Sequence, residues 1–288
     1  LLYPPDLTLM YTFYPNYIDK KITLEQKKKI LKKIILDSFT IRFKQTGHKE
    51  KVNLLVNSII KKINSKNVKN IFKILKILIN EYSKITKKKF KYFVIKETSQ
   101  LINFDLFLKN FKDIKIINIT RNPFDNFSSL KSGMKYYKNN GEDYLTLFLS
   151  FIFRCTLDLK IAHKLKKKHP DILINIKYED LVSDKKKVLN KINKFLECNI
   201  DTKEFTPSYF GKNFNGNSFI VNKFKGVSNT RTNIFKHNLN PSEISLISFF
   251  FEEMLIKQKY KIPTNNMDNL KDLYYSLNKK FFYKKKEL

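Results

Sequence analysis

The sequence predicts an α/β fold with a central parallel sheet flanked by helices. Short, β-branched apolar runs alternate with segments of helical periodicity from about residue 92 to residue 258. Two of these runs are apolar enough to be strands buried on both faces, which is typical of a parallel sheet. A helix start follows the first of these runs directly, and a helix is predicted a few residues after the second. No run of 18 apolar residues occurs, so we expect no membrane span.

The first third of the chain is predicted to be a helical insertion or lid over residues 23–89. Residues 1–17 are rich in Pro and Tyr and predict a loop. Thr23 and Gln26 form a capping-box pattern that opens a helix to about Ile35. Apolar spacing predicts two more helices, near Lys51–Ile63 and Val68–Ile85.

The remaining elements are predicted as one continuous domain with the insertion, spanning residues 1–288 with its core at 90–260. The predicted strands are Tyr92–Ile95, Ile114–Ile119 and Ile172–Lys177. The predicted helices are Leu101–Phe111, Asp143–Lys168, one capped by Ser183 or Asp184 that runs to Leu196, Pro241–Gln258 and Met267–Asn278. Residues 201–239 predict a long functional or disordered loop. A basic tail follows the last helix, within 261–288.

The junction after the strand Ile114–Ile119 is the strongest local signal. Arg121 follows the strand, Asn122 can cap a helix, Pro123 suits its first position, and Asp125 falls in its first turn. An Arg placed where helix N–H groups converge predicts an anion site, to which the hydroxyls of Ser128 and Ser129 can add donors. The alternative is an ordinary strand–helix junction with a solvated Arg.

The net charge of +31 suggests an anionic partner, and taken alone it suggests nucleic acid. Compositional bias is the simpler explanation, because lysines are scattered along the chain while Gly falls to 6 and Trp to 0. Against this background the few arginines are informative. Because this chain uses Lys where a solvated positive charge suffices, we expect an Arg where planar, bidentate binding of a carboxylate or phosphate is needed. The chain has four arginines: Arg42, Arg121, Arg154 and Arg231.

The cysteines and histidines give no sign of a metal site. Cys155 and Cys198 are far apart in sequence, and the four histidines form no cluster. Buried cysteines in a reducing compartment are the favoured interpretation.

Three segments together resemble the sulfotransferases that use 3′-phosphoadenosine 5′-phosphosulfate (PAPS). The segments are Ile116-Ile-Asn-Ile-Thr-Arg-Asn-Pro-Phe-Asp-Asn-Phe-Ser-Ser129, Ile176-Lys-Tyr-Glu-Asp-Leu-Val182 and Gly226-Val-Ser-Asn-Thr-Arg-Thr-Asn-Ile-Phe235. Each occurs in the family's order and at the expected strand or loop. The resemblance covers about residues 1–247, with residues 23–89 matching only loosely. It implies a three-layer fold like that of the P-loop nucleotide hydrolases.

The resemblance also implies roles for individual residues. Arg121 and Ser129 match the pair that holds the 3′-phosphate. Tyr178 matches a Tyr near the adenine, with core packing as the alternative, and we expect Glu179 and Asp180 to hold the loop rather than to take part in catalysis. The loop that contains the third segment would close over the nucleotide and contribute Lys225, Gly226, Ser228 and Arg231.

One part of the family's pattern has no counterpart in the sequence. The Gly-rich loop that cradles the 5′-phosphosulfate is not found, so we interpret the chain as a fragment that begins after that loop. Asp6 aligns with an acidic base of some relatives, and Glu97 is the other candidate general base. Lys96 matches a Lys that contacts the sulfuryl oxygens, with a surface ion pair to Glu97 as the alternative.

The sequence therefore predicts a cytoplasmic, metal-independent enzyme that transfers a sulfuryl group from PAPS to a hydroxyl or amine. The acceptor class stays open among small molecules, glycans, lipids and proteins. Two other functions are a basic nucleic-acid-binding protein, which the scattered lysines argue against, and a nucleotide-binding remnant without activity.

Overall fold

The computed structural model describes residues 21–43, 49–87, 91–94, 96, 101–134, 143–199, 208–209, 212–213 and 228–263. The chain divides into two compact units, Leu1–Gln100 and Leu101–Leu288. Each unit is described by itself.

Three helices form the described part of the first unit. They are α1 (Leu24–Phe43), α2 (Lys49–Lys62) and α3 (Ile71–Thr86). The α3 helix begins where the Asn70 side chain accepts hydrogen bonds from the backbone N–H groups of Phe72 and Lys73. Apolar side chains recur at helical spacing on all three helices and form a shared core, with Leu31, Ile59 and Leu78 almost fully buried.

A buried carboxylate lies within this helical core. Glu81 on α3 is 4% exposed and accepts hydrogen bonds from Ser58 and Lys62 on α2. These two bonds lower the pKa of Glu81 to about 2. Donors on α2 stabilise the charged form of Glu81, so this contact joins α2 to α3.

The second unit contains the sheet and its flanking helices. Its helices are a 3₁₀ turn (Leu101–Asn103), α4 (Phe104–Asn110), α5 (Pro123–Ser132), α6 (Tyr144–Lys168), α7 (Tyr178–Ser183), α8 (Lys185–Leu196), α9 (Phe235–Asn238) and α10 (Pro241–Lys257). Its strands are β1 (Ile116–Thr120), β2 (Leu173–Lys177), β3 (Ser208–Tyr209) and β4 (Lys212–Asn213).

The two central strands run parallel with helices on both faces. In the register of β1 and β2, Ile116 pairs with Leu173 at one end and Thr120 pairs with Lys177 at the other. On one face Leu173 packs with Phe104 and Leu165, from α4 and α6. On the opposite face Ile174 and Ile176 pack with Val188 of α8. The predicted three-layer α/β arrangement is therefore confirmed in the part of the chain described.

Aromatic residues build the core beside the sheet. Phe124 and Phe127 of α5 pack with Phe151 of α6 and Phe251 of α10. Phe235, at the start of α9, stacks on Phe124 with ring centroids 5.0 Å apart. This core fixes the position of α5, whose first residues border the candidate site. No helix in the described ranges is both long and apolar enough to cross a bilayer.

Most predicted helices and strands are present, and several predictions differ from the structure. The α1 helix extends to Phe43 instead of ending near Ile35. At the predicted strand Tyr92–Ile95, Phe93 is an isolated bridge residue and Ile95 lies outside the described residues. β1 is also less covered than predicted, since Ile119 is 54% exposed. The predicted helix Met267–Asn278 falls outside the described residues.

Candidate functional site

The candidate site lies at the carboxyl edge of the parallel sheet. β1 ends at Thr120 and β2 at its register partner Lys177. The residues that follow, Arg121 and Tyr178, are therefore neighbours at this edge. In open α/β sheets, ligands bind in the crevice outside the carboxyl ends of the strands. Two of the predicted segments meet here because strand pairing aligns them.

Arg121 is held by contacts from both other predicted segments. Its guanidinium carbon lies 4.7 Å from the centroid of the Tyr178 ring, a cation–π contact. Its Nη2 donates to the backbone carbonyl of Arg231 at 2.7 Å. Its Nε is buried and has no hydrogen-bond partner within the described structure. A buried, charged N–H group without an acceptor is costly, and an anion bound at this point would satisfy it.

At the start of α5, side chains of the protein itself accept hydrogen bonds from two backbone N–H groups. The Asn122 side chain accepts from the N–H of Phe124, which confirms the predicted cap. The N–H of Asn122 donates to Glu179 Oε1 at 2.8 Å. These two N–H groups therefore do not point at a ligand as we predicted, because internal acceptors occupy them. Arg121 remains the cationic group of the site, and Glu179 holds the loop as expected.

Asp125 connects α5 to the segment that carries Arg231. It is 1% exposed, and its carboxylate accepts from the N–H groups of Asn233 at 2.7 Å and Phe235 at 3.1 Å. Burial raises the pKa of Asp125, and the two backbone hydrogen bonds oppose that shift. Asn233 has φ of 62°, a left-handed conformation that Asn tolerates. The sequence placed Asp125 in the first helical turn but gave no sign of its distant partners.

The hydroxyls of α5 differ in what they contact. Ser128 is fully buried and accepts from the Asn238 side chain at 3.0 Å. Ser129 is half-buried on the second turn of the same helix. Ser128 therefore makes a structural contact, and Ser129 is the more exposed of the two serines.

The other predicted site residues divide into described and undescribed positions. Ser228 starts the described loop before α9, where its hydroxyl contacts that of Thr230 at 2.8 Å and accepts from the Thr230 N–H. Lys96 is exposed in the first unit. Four predicted residues lie outside the described residues: Asp6, Glu97, Lys225 and Gly226.

Two residues of the site were missed by the sequence reasoning. Tyr260, just after α10, donates its hydroxyl to Glu179 Oε2 at 2.7 Å. Lys177 donates to the backbone carbonyl of Gln258 and lies 4.8 Å from the Tyr260 ring centroid. Tyr260 lies outside the three segments and Lys177 lies within the second one without an assigned role, so no local signal could have paired them.

The arrangement can bind a phosphate-like anion at Arg121. The guanidinium supplies a fixed, planar set of donors, the Tyr178 ring covers one face of it, and the Arg231 carbonyl orients it. No cluster of His, Cys, Asp or Glu in the described ranges has the makings of a metal site.

Fold and site together define an α/β protein with a candidate anion site at the carboxyl edge of its sheet. Residues 24–202 match the sequence profile of the sulfotransferase family. The chain belongs to the sulfotransferase family.

A solved structure supports the same fold. The sulfotransferase domain from the curacin biosynthetic pathway superposes with a TM-score of 0.56 over 90% of this chain and 89% of that chain. Its sequence identity is 17%, so the likeness concerns the fold. No curated protein sequence matches the chain significantly.

Proposed function

We propose that this sulfotransferase uses PAPS as its donor and reads the donor's 3′-phosphate with Arg121. The observation that carries the proposal is the buried Arg121 Nε that lacks an acceptor, at the point where three predicted segments meet. A 3′-phosphate would give this N–H a charged acceptor. The residues present therefore fit the group.

In this proposal, the residues around Arg121 have different roles in binding the nucleotide. Tyr178 and the Arg231 carbonyl keep the guanidinium in one orientation, so little entropy is lost when an anion binds. Ser129 supplies a hydroxyl donor from α5. We propose that Lys225, Gly226, Ser228 and Arg231 close over the nucleotide from the following loop. That assignment rests on the resemblance of this segment to the family.

Catalysis in this proposal is positioning together with stabilisation of charge. The donor supplies a sulfuryl group whose S–O bond to the 5′-phosphate breaks as a new S–O or S–N bond to the acceptor forms. Asp6 or Glu97 takes the acceptor's proton, and Lys96 stabilises charge on the sulfuryl oxygens. The acceptor is a hydroxyl or amine on a small molecule, glycan, lipid or protein.

The test compares adenosine 3′,5′-bisphosphate with adenosine 5′-monophosphate, which lacks the 3′-phosphate. Binding at about 100 times the dissociation constant adds about 2.7 kcal/mol to stability, which a thermal shift detects. We expect the bisphosphate to bind about tenfold or more tightly than the monophosphate, because one charge-assisted contact contributes about 1.5–3 kcal/mol. Equal affinity for the two nucleotides would refute the role of Arg121.

Two arginine variants make the test specific. Arg121→Lys keeps the charge but loses the planar donors, so the preference for the bisphosphate should fall to near unity. Arg154→Lys, at an exposed position of α6, should keep the preference. If both variants keep it, the phosphate is bound elsewhere.

The two other functions make different predictions in the same assays. A nucleic-acid-binding protein would bind single-stranded oligonucleotides with a steep salt dependence and would not distinguish the two mononucleotides. A remnant without activity would prefer the bisphosphate but release none of it from PAPS in the presence of acceptors.

A further inference from the structure

The C-terminal end of α10 is fixed by a well-defined helix stop. Lys259 takes φ of 54°, in the left-handed region. Its N–H donates to the Ile256 carbonyl at 3.0 Å, and the N–H of Tyr260 donates to the Leu255 carbonyl at 2.8 Å. This pair of bonds is the Schellman motif, which turns the chain sharply after the helix. The position of the Tyr260 backbone is therefore set by the helix itself.

The turn places the Tyr260 side chain against the residues that support Arg121. Its hydroxyl donates to Glu179 Oε2 at 2.7 Å, while Glu179 Oε1 accepts the N–H of Asn122 at 2.8 Å. One carboxylate therefore joins α10 to the peptide that directly follows Arg121. Burial first, and then the hydrogen bond to Glu179, raise the pKa of Tyr260.

Lys177, the last residue of β2, also contacts the turn that carries Tyr260. Its ammonium donates to the Gln258 carbonyl and lies 4.8 Å from the Tyr260 ring centroid. The last residue of β2 thus holds the turn in which Tyr260 sits. Tyr178 and Glu179 follow Lys177 directly, so the same strand end positions the ring that stacks on Arg121 and the carboxylate that holds Asn122.

We infer that Tyr260 is a positioning residue for the anion site, acting through Glu179 on Arg121. Without the hydroxyl, Glu179 keeps one of its two partners and can rotate, which releases the Asn122 N–H and shifts the Arg121 backbone. The inference rests on the proposed function, because it takes the 3′-phosphate of the nucleotide as the anion that Arg121 reads. Nothing in the family resemblance pointed to Tyr260.

The experiment measures nucleotide preference in Tyr260→Phe, which removes one oxygen atom and keeps the ring. We expect affinity for adenosine 3′,5′-bisphosphate to fall about fivefold to twentyfold, since part of one hydrogen bond to a charged group is transmitted to the site. Affinity for adenosine 5′-monophosphate should change less than twofold. A loss confined to the ligand with the 3′-phosphate is a result that general destabilisation does not give.

Tyr144→Phe is the matched control. The hydroxyl of Tyr144 also donates to a carboxylate, that of Glu243, but at the opposite end of α10. This variant should lose stability without changing the preference between the nucleotides. Adding Glu179→Gln to Tyr260→Phe should produce little further loss of preference, because both changes act on the same connection.

The outcomes separate the inference from the proposed function. If the unmodified chain does not prefer the bisphosphate, the proposed function fails. If it does, but Tyr260→Phe keeps the full preference or weakens both nucleotides equally, Tyr260 is structural and the inference is wrong.

Discussion

Replacing Asp125 by Ala should release the segment that holds Arg231 against Arg121. The Asp125 carboxylate accepts two backbone N–H groups, those of Asn233 and Phe235, across 108 and 110 residues of sequence. These two bonds join α5 directly to this segment. Without them, the N–H of Phe235 is left buried and unpaired.

The expected size of the effect follows from these contacts. Each hydrogen bond to a charged group contributes about 1.5–3 kcal/mol. Part of that gain is offset in the native protein, because burial raises the pKa of Asp125 and so disfavours its charged form. We therefore expect a net loss of roughly 2 kcal/mol, which increases the open population of the segment about thirtyfold.

Native-state proteolysis measures this opening. Trypsin can cleave after Arg231 and Lys236, and mass spectrometry identifies the products. When reclosing is fast, the cleavage rate follows the open population, so both cleavages should accelerate about thirtyfold in Asp125→Ala. Asp143→Ala is the control, because Asp143 also accepts a backbone N–H, that of Thr146, but at the exposed start of α6. Equal rates for the two variants would refute the role given to Asp125.

Three further predictions concern stability and reactivity. Lys259→Gly should raise the free energy of unfolding by about 0.5–1 kcal/mol in urea titrations, because Gly adopts positive φ without steric cost, and no gain would contradict the left-handed stop. Glu81→Gln should cost roughly 2 kcal/mol at neutral pH. Because the folded pKa is lowered to about 2 from the usual 4.5, the stability from Glu81 is present above pH 4.5 and lost as the pH falls towards 2. The variant should therefore show a flatter pH dependence of the unfolding free energy in that window, and an unchanged slope would contradict the contact. Burial raises the pKa of Cys155 to about 12, so in a Cys198→Ser background the remaining thiol should react with a disulfide reagent at pH 8 more slowly in the native chain than in the unfolded chain, and equal rates would contradict the raised pKa.

Signals that act within a few residues predicted the local structure. Asn122 caps α5 with Pro123 at its first position, and Asp184 accepts the Lys187 N–H at the start of α8. These elements are set by neighbouring residues, so a single sequence contains the information. Helix ends are less well determined. The α1 helix continues past Ile35 because neither Pro nor Gly interrupts the chain before Gly47.

Long-range contacts explain what the sequence could not show. Arg121 was found as an anion-binding candidate, but its bond to the Arg231 carbonyl spans 110 residues. The bond from Tyr260 to Glu179 spans 81 residues. Such pairs depend on how α10 packs beside the sheet, and no periodicity encodes them. Tyr260 therefore carried no signal, whereas Arg121 stood out by residue type and position.

The site prediction erred in the source of its donors. Helix N–H groups were expected to face the anion, as at many helix starts. Here Glu179 and the Asn122 side chain accept the N–H groups of Asn122 and Phe124, so these two groups are not available to a ligand. The charge on Arg121 then has to provide the attraction for the ligand.

A crystal structure of the chain with adenosine 3′,5′-bisphosphate tests the central claim most directly. The account predicts a 3′-phosphate oxygen about 2.7–3.0 Å from Arg121 Nε, with the guanidinium still stacked on Tyr178 and bonded to the Arg231 carbonyl. A nucleotide bound with its 3′-phosphate away from Arg121, leaving Nε without an acceptor, would contradict it.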